Sequence, residues 1–165
     1  MIPEKAVLHF SNPQRSLIFR ALDEAEERTA GYYCIPPFRW ERLRYDLLTQ
    51  ADHEWEPFPD AMLARVRRLQ RINVRRPYDF YRIELHDRSI LAAAERESLT
   101  DNLYPFFVYI LTHEMVHMVR LSSILDDSSH AFSPSDDSEE HRVQSVARRI
   151  LTESRFQPVL ERFCS

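Results

Sequence analysis

The longest apolar stretch of the chain runs from Leu103 to Leu125. Phe106, Phe107, Val108, Ile110, Leu111, Val116, Met118 and Val119 recur there at the spacing of a helix buried on most sides. Asn102 or Asp101 is placed to cap this helix, and Pro105 is tolerable in its first turn, so the pattern predicts a helix over about 102–122. Its uninterrupted apolar part, Leu103–Leu111, ends at Thr112 and His113. That falls well short of the about 20 residues needed to span a bilayer, and the segment reads as a core helix.

Weaker patterns surround it. Ser11-Asn12-Pro13 marks a helix start, Leu17, Ile18, Ala21, Leu22 and Ala25 follow at helical spacing, and Gly31 offers a stop. Trp40, Leu43, Leu47 and Leu48 suggest a second helix. After Pro57 and Pro59, Asp60 is placed to cap a third, with Met62, Leu63, Val66 and Leu69 inward. Tyr78–Leu85 alternates, Tyr81, Ile83 and Leu85 against Phe80, Arg82 and Glu84, which is the period of a strand. His86-Asp87-Arg88 turns the chain toward Ile90–Glu97, a short strand or helix. Asp126–Ser138, dense in Asp and Ser, reads as a loop. A last strong helix runs from about 138 to 153 through Val143, Val146, Ala147, Ile150 and Leu151, and a turn or two can follow Pro158. The expected fold class is therefore α+β, mostly helical with a small sheet, in one domain over residues 1–165.

Composition changes this picture little. One glycine and ten prolines favour helices joined by Pro-punctuated loops. A net charge of −4 gives no general pull toward nucleic acid, and nothing predicts a membrane span. Two distant cysteines, Cys34 and Cys164, make a disulfide framework unexpected. Together with an amino terminus that lacks a basic and apolar leader pattern, this points to a reducing compartment, the cytoplasm.

The chemistry lies inside the apolar helix, at His113-Glu114-Met115-Val116-His117, an H-E-x-x-H motif. Residues four apart share a helical face, so the two imidazoles can reach one metal ion, Zn2+ in the first instance. Glu114, about 100° around the helix, borders the ion without ligating it and is placed to act as general base. Burying two imidazoles and a carboxylate without partners would cost several kcal/mol, which a metal ion removes.

A catalytic zinc site usually has a third protein ligand. A third histidine six residues beyond the motif is absent, because Ser123 stands there. Glu139, Glu140 and His141 lie at the start of the following helix. Glu140 shares a stripe with Val143, Ala147 and Leu151, and Glu139 with Val143, Val146 and Ile150, so helical geometry leaves the choice open. Acidic residues in a first turn also simply offset the helix dipole. The region 106–151 resembles the gluzincins, H-E-x-x-H metallopeptidases with a glutamate as third ligand, in the style of compact IrrE/ImmA-like zinc-peptidase domains. Many members carry a small residue three positions and an Ala seven positions after that glutamate, a spacing that Glu140, Val143 and Ala147 follow. Val143 and Gln144 stand where Ala and Asp or Asn are common. The resemblance implies a zincin-like domain with His113, His117 and Glu140 on zinc and Glu114 catalytic. It also implies a strand, here Tyr78–Leu85, that borders the cleft and pairs with an extended peptide or protein substrate.

Other residues carry bland and functional readings side by side. His86, Tyr81 and Tyr109 are candidate oxyanion donors or structural groups. His130 and Cys34 could approach the metal, or be a loop histidine and a buried inert thiol. Arg65, Arg67, Arg68, Arg71, Arg75, Arg76 and Arg82 form a basic cluster, by default a solvated helix face. The alternative function they support is a non-catalytic zinc-bearing helical domain that binds a protein or nucleic-acid partner through that Arg-rich helix.

Overall fold

Helix α1 (Asn12–Tyr32) begins as its sequence marks it. The Ser11 side chain accepts from the Gln14 amide and the Gln14 side chain accepts from the Ser11 amide, a capping box with Pro13 in the first turn. The computed structural model describes residues 9–52, 62–69, 80–122, 124–125 and 137–164. Asp60, Tyr78, His130 and most of the Asp/Ser-rich loop lie outside them.

Gly31 does not stop α1, which runs through it to Tyr32. The left-handed residue is Cys34, with φ 53°. The Ile35 amide donates to the Ala30 carbonyl at 2.9 Å and the Cys34 amide to the Gly31 carbonyl at 3.2 Å, the paired bonds of a Schellman ending. Pro36 and Pro37 then prevent α1 from continuing. A left-handed L-residue costs about 1–2 kcal/mol, against which glycine loses part of the gain through its extra chain entropy. Cys34 is exposed rather than buried, so it contributes little packing. Cys34→Gly is therefore expected to stabilise the fold by roughly 0.5–1 kcal/mol. A higher urea midpoint would register this gain, and a lower one would show that the thiol contributes more than its backbone costs.

Two segments with helical spacing are strands instead. After the short helix α2 (Pro37–Trp40), Leu47 and Leu48 belong to β1 (Arg44–Thr49). The segment expected as a third, Arg-rich helix is β2 (Ala64–Leu69). The expected strand is β3 (Phe80–Leu85), with Tyr81, Ile83 and Leu85 fully buried. The sheet order is β1-β3-β2, β1 parallel and β2 antiparallel to β3. Register places Val66 and Leu47 beside Ile83, so pairing with β3 fixes β1 and β2 against their local helical pattern. β3 is thus the central strand, bonded on both sides, and a substrate cannot add to it. The edge strand β2 is the one that faces the motif helix.

His86-Asp87-Arg88 turns directly into a helix, α3 (Asp87–Arg96). Its first residue, Asp87, is fully buried and accepts from the Phe10 amide at 3.3 Å and the Gln50 amide at 3.0 Å. One carboxylate so ties α3 to the entry of α1 and the exit of β1.

A 3-10 turn at Thr100–Asn102 leads into α4 (Leu103–Leu121), the motif helix. Asn102 occupies the capping position but makes no side-chain capping bond. α1, α5 (Asp137–Ile150) and β2 all pack on α4. The chain ends in a second 3-10 turn and α6 (Gln157–Phe163), whose Phe163 stacks on Phe106 and Tyr109 with ring centroids 5.1 and 5.9 Å apart. The fold is α+β, mostly helical with a small mixed sheet. No helix among the described residues is long and apolar enough to cross a membrane.

Candidate metal centre

α4 presents His113 and His117 one turn apart, with ring centroids 4.9 Å from each other. α5 brings Glu140 to both. Nε2 of His113 stands 2.8 Å from Oε1 of Glu140, and Nε2 of His117 stands 3.0 Å from Oε2. The three donor atoms lie within 4.8 Å of one another. Among the described residues this is the one group of three or more His, Cys, Asp or Glu disposed to hold an ion. Ligands at about 2.0–2.2 Å around a tetrahedral ion stand about 3.3 Å apart, so two imidazoles and a carboxylate at these separations fit a divalent cation after small adjustments.

The electrostatics of the cluster follow from its contacts. Hydrogen bonds from His113 and His117 hold the Glu140 carboxyl well below the usual carboxylate range, against the opposing effect of burial. Burial pulls the His117 imidazole down, but the Glu140 hydrogen bond and the Glu114, Glu140 and Glu139 charges raise it above its ordinary value. The buried Nδ1 of His113 has no hydrogen-bond partner among the described residues. The Tyr109 ring, 6.0 Å away, and the His117 ring pack around that imidazole and set its orientation.

Glu114 is buried, only 6% exposed, and burial pushes its carboxyl above the usual range despite the neighbouring imidazoles. It lines the same cavity of about 470 Å³ as His113, His117 and Glu140. Met62 to Val66, leading into and along β2, form one wall of this cavity, and Ile110, Leu121, Gln144 and Phe163 contribute to the others. Residue periodicity gave no sign of Gln144, Phe163 or the β2 wall, because each reaches the cavity only through tertiary packing.

The other candidates are distributed as follows. Glu139 is not at the cluster. It is buried and takes both nitrogens of a fork from Arg120, at 2.5 and 3.0 Å. His141 is exposed and outside the ligand group. Tyr109 lines the cavity, and its hydroxyl accepts from the buried Cys164 thiol at 3.5 Å. His86 occupies the N-cap position of α3 without a side-chain capping bond, its Nδ1 2.7 Å from the Ser89 hydroxyl, and Tyr81 is fully buried in β3; neither lines the cavity. Cys34 ends α1, outside the ligand group.

The described arginines of the basic cluster, Arg65, Arg67, Arg68 and Arg82, lie on strands rather than on a helix face. Arg65 and Arg67 of β2 bond the buried Glu84 at 2.6 and 3.2 Å, and Arg82 makes a two-bond fork with Asp46. Arg71, Arg75 and Arg76 lie outside the described residues.

Searches of protein-family models, characterised proteins and solved structures find no match to this chain. Its relationship to any family rests on the residues of the site.

Proposed function

We propose that this chain is a zinc-dependent metallopeptidase of the gluzincin kind. The observation that carries this reading is the meeting of three convergent ligands and a buried, non-ligating glutamate at one open cavity. Two imidazoles and one carboxylate form a donor set suited to catalytic zinc, with His113, His117 and Glu140 holding it. Zinc bound there would act as a Lewis acid, polarising a carbonyl and making water acidic enough to attack at neutral pH.

The residues supply the rest. Glu114 stands in the cavity wall beside both histidines, where it takes a proton from the attacking water and delivers it to the departing amine as the peptide C–N bond breaks. Burial raises the proton affinity of its carboxyl, which suits a group that must accept and then release a proton. β2 lies along the cavity at the edge of the sheet, and among the described residues no further strand pairs with it. A peptide laid along that edge would gain backbone hydrogen bonds while its side chains meet Val66, Ile110 and Phe163. On this reading the strand role falls to β2 instead of Tyr78–Leu85.

The test is an unbiased peptide library incubated with zinc-loaded protein and read by mass spectrometry. Cleavage that stops on chelation and returns with zinc is expected. Zinc-loaded protein that cleaves no peptide would remove the catalytic part of the proposal and leave a metal-binding domain.

A further inference from the structure

Two adjacent glutamates at the start of α5 grip α4 at two successive points. Glu140 meets His113 and His117, and Glu139 meets Arg120, three residues beyond His117. In residues 137–142 only Glu139 is buried; Asp137, Ser138, Glu140, His141 and Arg142 are exposed. The next buried contact of α5 is Val143, a full turn further on. The buried side chain of this first turn is therefore Glu139, which meets α4 through Arg120 and immediately precedes Glu140 in the sequence.

The anchor is directional. Arg120 donates from Nε to one Glu139 oxygen and from a terminal nitrogen to the other, a planar fork that fixes rotation as well as distance. Arg120 is itself mostly buried, with 18% of its side chain exposed. Helix geometry carries this constraint forward, because consecutive residues differ by about 100° and 1.5 Å along the axis. Fixing Glu139 on Arg120 therefore fixes the direction from which the half-exposed Glu140 leaves α5. The fork also occupies both oxygens of Glu139, so Arg120 decides which of the two neighbouring carboxylates remains available to an ion.

We infer that the Arg120–Glu139 pair is a positioning device for the metal centre, setting Glu140 in place as third ligand. The inference rests on the metal reading of His113, His117 and Glu140. It assigns the pair no contact with metal or substrate.

A double-mutant cycle tests it, with metal affinity measured by competition against a chromophoric chelator. Copper(II) serves as probe beside zinc, because an imidazole pair retains it better when the third ligand is removed. Glu139→Gln is expected to weaken binding roughly 10- to 100-fold, the range typical of groups that orient a ligand. In a Glu140→Ala background the same substitution is expected to change copper affinity less than about twofold, since the pair acts through Glu140. General loosening of α4 would lower affinity equally in both backgrounds and would overturn the inference. Unchanged affinity in Glu139→Gln alone would also overturn it. If Glu139→Gln does not fold, Arg120→Lys, which keeps the charge and loses the fork, enters the same cycle with the same expected pattern. A wild-type chain that binds neither metal would instead overturn the metal centre itself.

Discussion

Purified wild-type protein is expected to carry one zinc ion per chain, and His117→Ala to carry none. The imidazole of His117 is one of three donors, and no fourth His, Cys, Asp or Glu joins them among the described residues. Its loss leaves His113 and Glu140, two donors joined by a single contact at 2.8 Å. A three-ligand site reduced to two is expected to lose at least 100-fold in affinity, enough to empty it during purification. The effect extends to stability. An ion bound only by the folded chain adds about 4 kcal/mol when present at a thousandfold excess over its dissociation constant. Chelation should therefore lower the melting temperature of the wild type markedly and leave that of His117→Ala almost unmoved. Elemental analysis and thermal melts with and without chelator measure both. Stoichiometric zinc in His117→Ala would move the site elsewhere in the chain.

How much of this was legible in the sequence depended on the range of the interactions involved. The motif helix and α1 were, because each buries a face set by its own local periodicity and α1 carries a local capping box. β3 was, because Tyr81, Ile83 and Leu85 alternate cleanly. β2 was not. Met62, Leu63, Val66 and Leu69 sit at helical spacing, and the arginines between them hide any period of two. Only pairing with β3, together with the Glu84 contacts of Arg65 and Arg67, makes the segment extended. β1 failed for the same reason at Leu47 and Leu48.

The site divides along similar lines. His113 and His117 follow from helical geometry alone, and Glu114 with them. Glu140 needed more, since Glu139 lies on an equally apolar stripe and only the resemblance separated the two. The structure supplies the physical distinction: Arg120, 19 residues before Glu139, takes that carboxylate and leaves its neighbour to the histidines. No local pattern announces a partner at that separation. Gly31 is the conformationally cheapest stop for α1, yet the chain turns at Cys34, one residue before Ile35 and the prolines, where the Schellman bonds can form.

Glu114→Gln is expected to keep the fold and the zinc while losing peptide hydrolysis by roughly 10²- to 10⁴-fold, the usual contribution of a positioned general base. Glutamine has the shape of glutamate, so the tight packing around this nearly buried side chain is preserved. Glu114 is not among the three convergent donors, so metal content is expected to stay at one per chain. The fold should not suffer either, because burial penalises the charged carboxylate and a neutral amide escapes that penalty. Only the proton transfer is lost, since an amide cannot accept the proton from water and return it to the leaving nitrogen. The measurement pairs elemental analysis and a thermal melt with the cleavage rate of peptides recovered from the library. A Glu114→Gln protein that cleaves them at the wild-type rate would assign the base to another group. A variant that loses its zinc would make Glu114 part of the metal-holding set, so the two outcomes separate a catalytic role from a structural one.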